Sequence, residues 1–332
     1  MTSECKATTR ERVHVPVMVD AVLAALAPRD GEAFLDGTFG GGGHAAALLR
    51  AAHCSVWGVD RDPDAVSRGA ELVREHPNRL RVLEGRFSEM ASLLADHGVS
   101  GIDGVTLDLG ISTFQLDDPA RGFSFQADGP LDMRMGHEGR SAADVVNAED
   151  EVTLRHLIST YGEERHAGRI ARTIVSDRAN SPIHTTRELA DLIVRAMPSG
   201  SRRRHGDIHP ATRTFQALRI YVNDEIEELK RGLVAAERLL NPQGRLAVVS
   251  FHSLEDREVK RFLEARSNSR PGPSRHLPQS PEHSAPATFE LLFRGARRPT
   301  NNEIAANPRA RSARMRAAVR TYAPGSRLEV SA

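Results

Sequence analysis

The sequence predicts an α/β fold built on a parallel sheet, with a helical domain inserted after its fourth strand. Three observations carry that prediction: an apolar strand that runs into four consecutive glycines, three further apolar runs that lead to Asp60, Phe87 and Asp108, and the loss of this rhythm from about 113 to 206. The first strand is Ala33-Phe34-Leu35, which meets Asp36 and then Gly37-Thr38-Phe39-Gly40-Gly41-Gly42-Gly43-His44. Glycine has no Cβ, so such a loop can turn through positive φ and come close to a ligand. Behind it, His44 to Leu49 is good helix-forming sequence. Strand, glycine loop and helix in that order place a nucleotide-like ligand at the carboxyl end of the first strand.

The next run, Ser55 to Val59, ends at Asp60, 24 residues after Asp36. An acid about 20 residues past a glycine loop is placed to bind a ribose diol. The other reading is that Asp60 caps the helix that follows with Asp62-Pro63-Asp64, where proline suits a first turn. The third run, Leu80 to Phe87, brings an aromatic to its end; the fourth, Gly104 to Gly110, brings Asp108. Asp36, Asp60, Phe87 and Asp108 thus share one edge of a parallel sheet.

From about Thr113 to Gly206 come a loop with Gly122, Gly129 and Pro130, then helical stretches such as Val152 to Tyr161 and Arg187 to Met197. Amphipathic sequence resumes from Thr212 to Leu240 and stops at Asn241-Pro242-Gln243-Gly244. Leu246 to Phe251 is the fifth strand. Ser253 with Asp256 reads as a capping box, and His252 as a structural histidine rather than a catalytic one. Residues 267 to 287 are too polar and proline-rich to pack a core and read as a mobile loop. Beyond them, Phe289, Leu291 and Phe293 alternate as in a strand, and Arg314 to Tyr322 supplies a last strand able to pair with it antiparallel. The expected division is therefore 1–112 and 207–332 for the sheet domain and 113–206 for the inserted helices.

Absent residues narrow the ligand. A P-loop needs Lys then Ser or Thr after its glycines, and His44 and Ala45 stand there instead. A dinucleotide loop, G-x-G-x-x-G, is met only in the looser form that ends in Ala45. NAD remains the second choice. A ligand with ribose and adenine but no phosphate fits the acids better, and S-adenosylmethionine has that composition.

These residues resemble the RsmH (MraW) family of bacterial 16S ribosomal RNA cytosine N(4)-methyltransferases. The resemblance runs through His14-Val15-Pro16-Val17-Met18, the Asp36 to His44 loop, Asp60-Arg61-Asp62-Pro63, Asp108 to Ser112 and Gln115 to Pro119. It continues through Arg121 to Phe125, Asp128 to Met135, His209 to Arg219, Ser250 to Asp256 and Asn307 to Ser312. Thr113-Phe114 stands where the family often has Ser-Pro.

The resemblance implies a Rossmann-like S-adenosylmethionine-dependent methyltransferase sheet with an inserted helical domain. It implies S-adenosylmethionine as cofactor, contacted by Gly42, Gly43, His44, Asp60, Phe87, Asp108 and Gln115, and no metal. The implied substrate is a cytosine in the decoding region of 16S rRNA in the small ribosomal subunit, methylated on its exocyclic amine. That amine is a poor nucleophile because its lone pair is conjugated into the ring, so the enzyme must supply a hydrogen-bond acceptor. Asp108, or the Leu109 carbonyl, is placed for this at the end of the fourth strand. Phe123 or Phe125 could stack an extruded base, or simply pack the loop onto the core. The alternatives are an NAD-dependent oxidoreductase, for which no nicotinamide motif is found, and a non-enzymatic RNA-binding protein, which leaves the four strand ends unexplained.

Composition fits a cytoplasmic protein of two domains; the resemblance implies 16S rRNA as its partner, and a homodimer is left open. The 332 residues suit that division. Cys5 and Cys54 alone make no disulfide framework, and no apolar run approaches the roughly 18 residues of a membrane span. The net charge of +1 does not announce nucleic acid, but only Lys6, Lys230 and Lys260 of the 45 basic residues are lysine. Arginine forks suit phosphates. Two clusters stand out: Arg202-Arg203-Arg204-His205, and Arg294, Arg297, Arg298, Arg309, Arg311, Arg314, Arg316 and Arg320 against the single acid Glu303. Replacing Arg202, Arg203 and Arg204 by Ala is expected to weaken RNA binding and flatten its salt dependence while cofactor affinity holds, because fewer phosphates release counterions. An RNA titration across a salt series reads this; an unchanged slope moves the footprint elsewhere.

Overall fold

A computed structural model of the chain describes residues 16–198, 209–267 and 286–324. The Arg202–Arg204 cluster, His14, Val15 and most of the loop expected near 267–287 lie outside the described residues. The chain begins with α1 (Val19–Leu26) and then alternates: β1 (Ala33–Asp36), α2 (Gly43–Ala51), β2 (Ser55–Asp60), α3 (Pro63–Glu75), β3 (Leu80–Glu84), α4 (Met90–Ala95) and β4 (Ile102–Asp108). Helices follow: α5 (Thr113–Asp117), α6 (Ala142–Ala148), α7 (Glu151–Gly162), α8 (Ala167–Arg178), α9 (Thr186–Ala196), α10 (Thr212–Asn223) and α11 (Glu225–Leu239). The sheet resumes with β5 (Leu240–Ser250), α12 (Ser253–Arg266), β6 (Phe289–Leu291), α13 (Asn301–Ala306) and β7 (Arg314–Arg320).

The seven strands lie in the order β3-β2-β1-β4-β5-β7-β6. The first five are parallel, and β7 runs antiparallel between β5 and β6. Strand order reverses between β1 and β4, so a crevice opens beyond their carboxyl ends, where ligands bind in open α/β sheets. One apolar layer, with Leu48, Phe34 and Val56, lies under α1 and α2; the other, with Leu107, Leu233 and Phe262, lies under α4, α11 and α12. A third cluster fills the inserted helices from Phe123 to Met197 and takes in Ala211, Phe215, Ala217 and Leu218, so α10 shares it.

Local chemistry sets the element ends. Ser141 with Asp144, and Thr185 with Glu188, form capping boxes at α6 and α9. The single amphipathic stretch expected from Thr212 to Leu240 is two helices, because Asp224 turns left-handed (φ 52°) between α10 and α11. The Asn241–Gly244 stop is a bulge within β5, where the register against β4 jumps between Ile102 and Gly104. Strand β6 is shorter than expected: Phe293 leaves it and lies under the Arg297 guanidinium, 4.3 Å from the ring centre. The antiparallel pairing of β6 with β7 follows the expectation.

Phe39, buried in the loop after β1, decides where glycine is obligatory around it. A Cβ on Gly58, Gly69 or Gly42 would stand 2.5, 2.7 or 2.8 Å from its ring. Gly58→Ala is therefore expected to destabilise the fold by about 1 to 3 kcal/mol through overpacking, read as a lower urea midpoint. A midpoint equal to the parent's would mean that the ring is free to move aside.

Candidate active site

Three backbone hydrogen bonds suspend the loop after β1 across the sheet. Gly37 N–H donates to the Thr106 carbonyl (3.0 Å), Phe39 N–H to the Val59 carbonyl (3.0 Å), and Gly40 N–H to Asp60 Oδ2 (2.7 Å). Gly40 and Gly42 take positive φ, 54° and 73°, which only glycine adopts freely. Asp60 Oδ1 accepts the Asp62 N–H at 2.9 Å. Two backbone donors thus aim this carboxylate, and each oxygen retains acceptor capacity. Burial pushes its pKa up against those two bonds. The helix cap considered for Asp60 belongs to Asp62, whose side chain accepts from Asp64 N–H at the start of α3.

Beside this loop, His44 and Asp108 meet across the switch point. His44 Nε2 lies 3.3 Å from Asp108 Oδ2, and the Asp108 N–H donates to Thr38 Oγ1 at 2.6 Å. Burial opposes protonation of His44, but its bond to Asp108 and the charges of Asp108 and Asp36 prevail, so its pKa rises. Asp36 is 1% exposed. Burial lifts it from 3.8 to about 6, against the opposing charge of His44.

A cleft of about 1260 Å³, mouth included, gathers Gly43, His44, Asp60, Phe87, Asp108 and Gln115, six of the seven residues expected to hold the cofactor. Gly42 is not on this wall; it turns the chain at the N-terminus of α2, and Gly40 and Gly41 line the cleft in its place. Gln115 is pinned: its carbonyl accepts the Ser112 N–H (3.1 Å) and its amide donates to Asp62 Oδ2 (2.9 Å). Phe87 packs against Gly232 of α11. Thr38 was missed by the sequence reading, although the Asp-Gly-Thr order at the strand end is the signal that could have found it.

The inserted domain is fastened to this same edge. Arg61 donates to the Asn223 carbonyl (3.0 Å) and to its side chain, and Asn223 in turn donates to the Met133 carbonyl (2.7 Å). Arg121 reaches Asp62 at 3.1 Å. Phe123 is core, and Phe125 packs tilted against His209 and edge-on against Phe215, so both aromatics pack the loop down.

The far wall holds Phe251, Glu225, Glu228, Glu255, Asn307 and Arg309. The cap of α12 is one residue earlier than expected: His252 and Glu255 form the capping box, Ser253 bonds Glu163, and Asp256 takes Arg314 and Arg316. Glu225, His252 and Glu255 bring ligand atoms within 4.8 Å of one another. Two of them already have protein partners: Arg219 forks onto Glu225 with both bonds at 2.8 Å, and His252 Nε2 lies 3.1 Å from Glu255. Several arginines expected to meet phosphate have structural work. Arg314 and Arg316 bind Asp256, Arg309 binds Asp117, and buried Arg320 donates to the Glu237, Thr288 and Thr321 carbonyls. Arg294, Arg298 and Arg311 are exposed.

Over residues 11–321 the sequence matches the MraW methylase family. The chain belongs to that family. It is 57% identical over 316 residues to the ribosomal RNA small subunit methyltransferase H of Rhodospirillum centenum, covering 95% of this chain and 94% of that one. The protein of the same name from Paramagnetospirillum magneticum is 54% identical over 312 residues, 94% and 96% of the two chains. Among solved structures, an rRNA methylase described as putative, from Clostridium thermocellum, aligns with 91% of this chain and 94% of its own at 12% identity and a TM-score of 0.40. The family read from the sequence, its Rossmann-like methyltransferase fold and its cofactor, S-adenosylmethionine, are thereby borne out. No helix among the described residues is long and apolar enough to cross a membrane.

Asp36 carries a sign for stability. Its raised pKa favours the folded state below about pH 4, and that contribution, about 3 kcal/mol, is lost as pH rises through about 6. Asp36→Asn removes the ionisable group, so at pH 8 the variant is expected to melt above the parent, the gap closing toward pH 4. Calorimetric melting at the two pH values checks it; a variant less stable at pH 8 would contradict the burial argument.

Proposed function

We propose that this protein transfers the methyl group of S-adenosylmethionine to the exocyclic N(4) amine of a cytosine in the decoding region of 16S rRNA, acting in the cytoplasm on the small ribosomal subunit. The observation that carries the reading is the pairing at one switch point of Asp60, aimed by the glycine loop, with Asp108, held by His44 at the cleft wall. The relatives' names, ribosomal RNA small subunit methyltransferase H, supply the substrate class.

The donor set fits a sulfonium nucleoside. Asp60, Asp62, Asp108, Glu225, Glu228 and Glu255 line the cleft, against two arginines, Arg61 and Arg309, and no lysine. Acidic walls attract a cation and repel a pyrophosphate, which weighs against NAD and against a nucleoside triphosphate. In this reading Asp60 takes the ribose hydroxyls, the backbone at Gly40, Gly41 and Gly43 allows close approach, and Phe87 and Gln115 flank the adenine. When bound, S-adenosylmethionine supplies an already electrophilic methyl group.

The chain's own residues then have two tasks. Asp108 accepts a hydrogen bond from the amine, which localises the nitrogen lone pair, and it takes the proton released as the new bond forms. The Leu109 carbonyl stands beside it as a second acceptor. Positioning does the rest, by holding amine and methyl in line. Exposed Arg155, Arg165, Arg169 and Arg172 on and around α7 and α8, with Arg294, Arg298 and Arg311, are the surfaces for the rRNA backbone. A homodimer belongs to the same reading, and sedimentation of the isolated chain tests it.

Asp60→Ala is expected to weaken S-adenosylmethionine binding by about 1 to 3 kcal/mol, the range for losing a hydrogen bond to a charged group, as read by calorimetry. Asp108→Asn keeps the size and polarity and removes the proton acceptor; its single-turnover methylation is expected to fall about 10²-fold or more. Tight binding of NAD with none of S-adenosylmethionine ends the methyltransferase reading, and a wild-type rate in Asp108→Asn moves the acceptor to another group.

A further inference from the structure

Three polar side chains stand on one face of the sheet at the switch point. Asp36 is the register partner of Thr106 across β1 and β4, and Asp108 is two residues beyond Thr106 on the same strand. Strand residues two apart share a face, and register partners of parallel strands do too, so Asp36, Thr106 and Asp108 project together. His44, in the first turn of α2, covers that face and meets Asp108 at 3.3 Å.

Behind Asp108, which is partly exposed on the cleft wall, this cluster is closed from water, and it is incompletely bonded. Asp36, Thr106 and His44 are each at most 4% exposed. Asp36 Oδ2, Thr106 Oγ1 and Asp108 Oδ1 are all buried without a hydrogen-bond partner among the described residues. The cleft wall includes Thr38, His44 and Asp108 but not Asp36. A buried carboxylate that lies off the cleft, with one oxygen held by the Thr38 N–H at 3.3 Å and the other without a donor, is costly to keep. Its neighbours show what it acts on: His44 and Asp108 bear directly on its charge, and Asp60 on β2 bears on it more weakly. His44 feels Asp108 and Asp36.

We propose that His44 and Asp36 are positioning residues for the acceptor: His44 donates Nε2–H to Asp108 Oδ2, and Asp36 behind them holds the imidazole in the state that makes this bond. The proposal rests on Asp108 accepting the amine proton. As the nitrogen lone pair forms the bond to the methyl carbon, the carbon–sulfur pair stays on sulfur and the amine proton passes to Asp108. The His44 bond keeps the carboxylate ionised and aimed until then. Without Asp36 the imidazole gives up its extra proton at lower pH, and Asp108 loses its fixed orientation. The raised pKa values of His44 and Asp36 agree with a proton held inside the cluster.

Single-turnover methylation of unmethylated small subunits by the full chain, at saturating cofactor and across pH, tests this for Asp36→Asn and His44→Gln. Asp36→Asn is expected to bind S-adenosylmethionine within about twofold of the parent, yet to react about tenfold slower with its pH–rate profile displaced by about one unit. His44→Gln is expected to lose the same inflection. Should both variants match the parent's rate and profile, the network is wrong. Asp108→Asn in parallel separates the two readings: a wild-type rate there overturns the Asp108 acceptor itself, whereas loss of rate there with unchanged Asp36→Asn overturns only the network. Carbon-labelled histidine NMR of the parent chain covers the case of a variant that does not fold. An imidazole that titrates above its ordinary value and shifts on adding S-adenosylmethionine supports the proposal, and a cofactor-responsive imidazole with an ordinary or lowered pKa overturns it.

Discussion

The cleft depends on how one loop is hung. Residues Gly37, Phe39 and Gly40 each donate a backbone N–H to a different support, the Thr106 carbonyl on β4, the Val59 carbonyl on β2 and the Asp60 carboxylate at its end. Those three bonds convert a glycine-rich segment, which would otherwise pay the largest backbone entropy of any sequence, into a surface of one shape. Phe39 supplies the apolar counterpart, filling the space left by Gly42, Gly58 and Gly69. The same bonds that shape the loop orient Asp60, so a cleft-lining carboxylate and its scaffold are one unit.

The helices that follow β4 are coupled to the sheet through that unit. Asp60, Arg61 and Asp62 are consecutive: the first faces the cleft, the second clamps Asn223, and the third gathers Gln115 and Arg121. Whatever settles on Asp60 therefore acts two bonds away from the helices that follow β4. Next to Glu255 of the far wall, Asp256 between Arg314 and Arg316 ties α12 to β7, so the arginine-rich end of the chain completes the sheet as well as facing solvent.

Electrostatics at the switch point run against stability. Burial alone would keep Asp36 and His44 neutral, yet they lie with Asp108 in one cluster with several acceptor atoms unpaired. A carboxyl and an imidazole whose pKa values are both raised beside a cleft are the mark of a site kept for chemistry at some cost to the fold.

Much of this was legible from residue order. The strand ends Asp36, Asp60 and Asp108, the glycine loop between them, and the antiparallel pairing of β6 with β7 could be read because each depends on local periodicity or on a residue type with one dominant use. Lengths and caps were less legible. Asp224 breaks a helix that periodicity ran through, and His252 rather than Ser253 caps α12, because both depend on single backbone angles. The partners of polar side chains were less legible still. Gln115 holds Asp62 and Ser112, Gly42 turns the chain off the cleft wall, and the arginines of β7 face Asp256 or backbone carbonyls. The sequence by itself determined the order of strands, loop and helices, since those follow from nearest neighbours along the chain. Which polar side chains line the cleft and which meet protein was decided only by the tertiary structure, because a charge takes its partner from whatever packing brings within about 3 Å, however distant in sequence.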